Sequence, residues 1–238
     1  MTRALVTCTV MAALGAVATA ANVAAAQRPA VVELYTSQGC SSCPPADALL
    51  GELSARSDVL ALAFHVDYWD ELGWRDRFGL PQSVQRQSQY ARRLGLASVY
   101  TPQMVIDGRV DVLGSDRRRV AELLAKPRSG VAIDALVQGQ ELLVRLEAAP
   151  GTPPCDVLVV SLLPEAVTAV GRGENSGRTL REFNVVRSIR TLGTWNGAPA
   201  RWRIALDTLP ADARSVAVLV QERATAAIVG ATRLSLRP

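Results

Sequence analysis

The chain has 238 residues, of which 49% are hydrophobic and 20% charged, the composition of a folded globular protein and not of a disordered one. Its formal charge of +4 rests almost entirely on arginine, because Lys126 is the sole lysine, and basic and acidic residues are interspersed. With no clustered basic stripe, nucleic acid is excluded as the expected partner.

The opening residues read as a targeting segment. Arg3 supplies a positive start, Ala4 to Ala21 is apolar and small, and Ala24-Ala25-Ala26 offers an A-x-A cleavage site before Gln27. The expectation is a signal peptide over 1–26, with a retained membrane anchor as the alternative. No later stretch reaches the ~18–20 continuous apolar residues of a membrane span. The mature protein is therefore expected to be soluble and periplasmic or secreted, with no membrane partner. Such a compartment permits disulfides. Cys8 would leave with the signal, so Cys40, Cys43 and Cys155 remain. An odd number cannot all pair within one monomer, and the close pair is the natural partnership.

From Val31 to Tyr35 the chain is β-branched and aromatic, a strand leading into the cysteines. After Pro44-Pro45, the spacing of Ala46, Leu49, Leu50 and Leu53 predicts a helix. Val59 to Val66 reads as a strand buried on both faces. Pro81 opens a glutamine-rich helix to about Leu94. Met104 to Ile106 and Val110 to Leu113 flank Asp107-Gly108, a strong hairpin signal. Ser115 or Asp116 can cap a last helix through Leu124. The order β-α-β-α-β-β-α implies an α/β layer fold over 27–127.

Lys126 to Gly130 reads as a linker. Beyond it, short runs at Val131–Val137, Leu142–Leu146, Val157–Leu163, Val185–Leu192, Trp202–Leu206, Val216–Val220 and Ala227–Leu236 are punctuated by Gly and Pro. They predict an all-β, sandwich-like domain over 128–238.

The chemistry centres on Gly39-Cys40-Ser41-Ser42-Cys43-Pro44. Two intervening residues let a first helical turn bring the sulfurs within bonding distance. If the helix begins near Cys40, that sulfur faces unpaired N–H groups and the positive end of the dipole, which favour thiolate. Cys40 would then attack and Cys43 resolve the mixed disulfide. Half of a zinc site is one rival, although only Cys155 and His65 could complete it. An inert structural disulfide is another, although so short a loop constrains the unfolded chain little. His65, the sole histidine, lies near the end of the second strand. It could tune Cys40, join the cysteines and Met104 on copper(I), or sit hydrogen-bonded in the core. Trp69 and Trp74 could wall the cysteines, and the loop Gly173 to Arg178 could touch the first domain.

The sequence of strand, C-x-x-C, helix, strand, helix and then Thr101-Pro102 before an antiparallel hairpin resembles the thioredoxin superfamily. That resemblance implies a cis Pro102 beside the cysteine pair, with Thr101 facing an extended substrate. More closely, the chain is similar to an exported bacterial family of unknown function with a thioredoxin-like domain. The likeness is carried by Glu33 through Pro44, His65 through Asp70 with Leu72-Gly73-Trp74, Arg86-Gln87 with Tyr90, and Gly173 through Arg178 with Asn184 to Arg187. Departures from thioredoxin are Gly39 before the first cysteine, Ser41-Ser42 between the two, and Leu34 where thioredoxin has a buried acid. Glu33 should face the other side of the strand.

The expected activity is thiol-disulfide exchange by Cys40 and Cys43 on protein or small-molecule thiols and disulfides, with Thr101 and Pro102 binding substrate. No cofactor and no resident metal are expected. The alternatives are a copper(I)-type metallochaperone and a non-catalytic binding module.

Overall fold

The computed structural model describes residues 26–236, so the expected signal peptide lies outside the described residues but for its last position. A two-residue strand, β1 (Ala26–Gln27), precedes β2 (Ala30–Thr36), whose residues are all buried. Helix α1 (Pro44–Ser54) opens with two prolines, whose missing N–H and fixed φ suit a first turn, and it buries Ala46, Leu49, Leu50 and Leu53. β3 (Val59–His65) is likewise buried throughout. A single 3-10 turn at Asp70–Leu72 interrupts the following loop, and α2 (Pro81–Leu94) ends on Gly95 in the left-handed region at φ 68°. The hairpin of β4 (Gln103–Ile106) and β5 (Val110–Leu113) turns through Asp107 and Gly108, both at positive φ. In α3 (Arg117–Leu124), the Asp116 carboxylate accepts from the Arg119 N–H at 3.0 Å and caps the helix.

The remaining described elements are the strands β6 (Ser129–Gly130), β7 (Ile133–Gln138), β8 (Glu141–Leu146), β9 (Cys155–Ala169), β10 (Thr179–Trp195), β11 (Ala200–Ala205), β12 (Ser215–Glu222) and β13 (Ile228–Ser235), with one 3-10 turn at Leu206–Thr208. They do not all form a sheet of their own. The main sheet has eight strands in the order β13-β12-β9-β10-β3-β2-β4-β5 and so crosses the expected boundary at 127/128. The join is a short parallel pairing of β10 with β3, with Val185 opposite Ala63. Beside it, Asn184 takes a left-handed φ of 47° and its Nδ2 donates to the Ala61 carbonyl at 3.0 Å. β11-β8-β7 make a separate three-stranded sheet. Its Leu142, Val144 and Leu146 pack on Val157, Val159, Val216 and Val218 of the large one.

Alternation along β2 and β3 divides the core. Val32, Leu34, Ala61 and Ala63 face α1 and α3, while Val31, Tyr35, Leu62 and Phe64 share a cluster with Tyr90 of α2. Glu33 also faces α2, and its carboxylate accepts from Arg86 at 2.6 and 2.8 Å and from the Tyr90 hydroxyl at 2.7 Å. Arg86 also donates to Gln221 of β12 at 2.9 Å. The buried ion pair thus ties α2, β2 and β12 together, and Glu33 points away from α1.

Candidate functional site

Cys40 and Cys43 are joined as a disulfide. The turn that carries them is closed by Cys40 N–H donating to the Ser37 carbonyl at 3.1 Å and Cys43 N–H to the Cys40 carbonyl at 3.2 Å. The helix begins at Pro44 and not near Cys40, the placement on which the expected thiolate stabilisation depended. Pro44-Pro45 fix its first turn, so Cys43 and not Cys40 is the N-cap residue, and Cys40 lies in the turn before it. The Cys43 carbonyl accepts from the N–H groups of Ala46 and Asp47 at 2.8 and 3.1 Å. Both cysteines are without solvent exposure, while Ser41 and Ser42 between them are exposed.

The second motif leads into β4, the neighbour of β2 in the sheet. The Thr101–Pro102 peptide bond is cis. Gln87 of α2 donates to the Tyr100 carbonyl at 2.8 Å and to Gln103 Oε1 at 2.9 Å, which holds the segment from behind. Trp69 links the two motifs: its Nε1 donates to Thr101 Oγ1 at 2.9 Å, and its Cβ would stand 3.1 Å from a side chain added at Gly39. Gly114, whose N–H donates to the Pro102 carbonyl at 3.0 Å, marks the convergence on the other side. A Cβ there would lie 3.0 Å from Ala46 and Leu34 and 3.1 Å from Pro102.

Behind the turn is a buried polar cluster. His65, at the end of β3, and Asp76 meet at 2.7 Å between Nδ1 and Oδ2. Burial alone would keep that imidazole neutral, but Asp76, with Glu182 and Asp47, overrides it and raises its pKa to about 9. The same pairing holds the Asp76 carboxyl below its ordinary range despite burial. Asp47, in the first turn of α1, accepts from Thr36 Oγ1 at 2.8 Å. Burial lifts its pKa to about 7, against the pull of His65. Gln38 gathers the rest. Its N–H donates to Asp76 at 2.8 Å, and its side-chain amide donates to Glu182 Oε1 at 2.6 Å and Thr168 Oγ1 at 3.1 Å. Trp74 Nε1 in turn donates to Gln38 Oε1 at 3.0 Å. Burial raises the pKa of Glu182.

The structure thus brings Cys40, Cys43, Thr101 and Pro102 to one end of the sheet, with His65 and both tryptophans beside them. Met104 sits in the apolar core under α1, and Cys155 is buried at the start of β9 with its thiol pKa pushed up to about 11 by burial. Gln38, Asp47, Asp76, Thr168 and Glu182 are members that sequence reasoning did not single out. Their signal was polarity at core-facing positions: Asp47 shares the first turn with buried Ala46, and Thr168 and Glu182 take inward places in alternating strands.

Residues 31–221 match a family model described as a protein of unknown function (DUF1223). Among solved structures, the chain is similar to protein AGR_C_4864 from Agrobacterium tumefaciens, at 33% identity and a TM-score of 0.76, over 88% of this chain and 96% of that one. HBP35 of Porphyromonas gingivalis is similar at 15% identity and a TM-score of 0.58, over 88% of this chain and 76% of that one, a likeness of fold alone. No curated protein matches the chain.

Proposed function

The chain belongs to the DUF1223 family of proteins of unknown function, and we propose that it is an exported thiol-disulfide oxidoreductase whose first half is of thioredoxin type. The observation that supports this most is the Cys40–Cys43 disulfide at the start of α1, with Thr101-Pro102 joined to the same turn through Trp69. In the dithiol form, the Cys40 thiolate attacks one sulfur of a substrate disulfide and expels the other as a thiolate. Cys43 gives up its proton and attacks Cys40 Sγ. The Cys40–Cys43 bond forms, the mixed disulfide breaks, and two electrons have passed to the substrate. Oxidation of a substrate dithiol runs the same steps in reverse. Thr101, half-buried beside Pro102, is the group that would align an extended substrate.

A second reading has an observation in its favour. Because both cysteines are without solvent exposure, the pair could be a permanent staple in a binding module. Turnover separates the two. The full mature chain should accelerate the reduction of a slowly reacting protein disulfide, such as those of insulin, by dithiothreitol above the uncatalysed rate, and Cys40→Ser should not. Equal rates would reject the oxidoreductase reading, and a wild-type pair that strong dithiols leave intact would establish the staple.

A further inference from the structure

The strands β9 and β10 are the longest in the protein, and their shared tip, residues 170–178, reaches the cysteine turn. The side chain of Asn175 is fully buried there, and its Nδ2 donates to two carbonyls of that turn, Gln38 at 3.0 Å and Cys40 at 2.8 Å. Arg178 Nη1 donates to Asn175 Oδ1 at 3.1 Å, which fixes the amide with its NH2 group toward the turn. Next to Asn175, the carboxylate of Glu174 accepts from the Ser41 N–H at 3.2 Å, on the amide that follows Cys40. The tip is itself braced. Gly177 N–H donates to the Val170 carbonyl at 2.8 Å, Val170 N–H to the Arg178 carbonyl at 2.9 Å, and Gly173 lies against the Cβ of Trp74.

We propose that this tip sets the redox poise of the cysteine pair: Asn175 is a positioning residue that holds the Cys40 turn in its disulfide geometry, and Glu174 adds a charge that opposes thiolate at Cys40. The inference rests on the reading of Cys40–Cys43 as an exchange pair and gives it a direction. Two thiols cannot stand as close as two bonded sulfurs. Opening the bond therefore requires the turn or its surroundings to shift, at two cysteines that are both without solvent exposure. Cys43 is fixed at the start of α1, so the movable partner is the Cys40 turn, and Asn175 restrains it by two buried hydrogen bonds. Both effects favour the disulfide, so they make the dithiol a stronger electron donor than it would be without the tip.

The test is the equilibrium of the full mature chain with dithiothreitol, read by alkylation of free thiols and mass spectrometry. Reduction breaks the Cys40–Cys43 bond and adds two electrons and two protons, while dithiothreitol becomes its cyclic disulfide. Asn175→Ala should shift the constant toward the dithiol by about tenfold, the scale of one or two lost hydrogen bonds, which is about 30 mV for a two-electron couple. Glu174→Gln should shift it the same way by about twofold, and that shift should fade in high salt, because the carboxylate is exposed. A merely structural Asn175 would lower the melting temperatures of the oxidised and reduced forms equally and leave the constant unchanged. That result overturns the proposal. If instead the constant shifts while the wild type turns over no model disulfide, the oxidoreductase reading falls and the role of the tip stands.

Discussion

His65 offers a direct test of the buried cluster, since it is the sole histidine and its titration can be read without ambiguity. With Asp76 at 2.7 Å and Glu182 and Asp47 nearby, its pKa is about 9 against an ordinary 6.5. The folded state therefore keeps a proton that the unfolded state has released. Stability from this source is fully present below pH 6.5 and is lost as pH rises through about 9. The whole gap is worth about 3 kcal/mol at 1.36 kcal/mol per pH unit. Asp47, with a pKa near 7, disturbs the lower part of that range, because an acid held protonated loses its folding advantage as it ionises. The window clear of Asp47 below it and of the buried Cys155 thiol above it is pH 7.5 to 8.5, where urea unfolding should show the wild type losing about 1 kcal/mol. His65→Gln, which keeps a donor for Asp76, should start lower and stay nearly flat across that window. The imidazole C2 proton, followed by NMR, should titrate near 9. Parallel stability curves for the two proteins, or a single imidazole titrating near 6.5, would refute the account of the cluster.

Three further outcomes follow from the packing. Arg86→Met strands the buried Glu33 carboxylate and should destabilise the protein by about 3–5 kcal/mol, whereas Arg86→Met with Glu33→Leu should recover most of that loss in denaturant titrations. Gly108→Ala places a Cβ 2.0 Å from the Ala226 carbonyl at a φ of +66°, so thermal unfolding should register a loss of about 2–4 kcal/mol. Trp69→Phe removes the hydrogen bond to Thr101. Under the exchange reading it should raise KM for a peptide disulfide by about fivefold, on the scale of one net hydrogen bond, with kcat little changed.

How far the sequence reveals this protein depends on what each segment buries. The apolar run at Val59 and the helical spacing of Ala46, Leu49, Leu50 and Leu53 mark elements that are present in the structure because their side chains go into a core. Asp107-Gly108 marks its turn because the backbone there needs positive φ. The outer parts of β9 and β10 are harder to see. Their inward places at Thr168, Glu182 and Asn184 hold polar side chains that serve the cluster or the join to β3, and this breaks the alternation that signals a strand. The shared sheet is equally hidden, since the sequence around Val185 does not say which strand it will lie against. At the site, the cysteines and Thr101-Pro102 announce themselves by spacing. Gln38 and Asp47 do not, because their importance lies in contacts with other elements, Gln38 with Glu182 more than a hundred positions away and Asp47 with Thr36 and His65 of the neighbouring strands.

The parallel pairing of Val185 with Ala63 also bears on how the protein is made. A chain synthesised from its amino end completes β3 long before β10 exists, and until then Leu60 to Phe64 present an unpaired, wholly apolar rim. Such a rim invites pairing with other nascent chains. Fragments ending near residue 127 should for this reason collect in inclusion bodies, and a chaperone that shields exposed strand rims should bind the early intermediate and let go once β10 has docked.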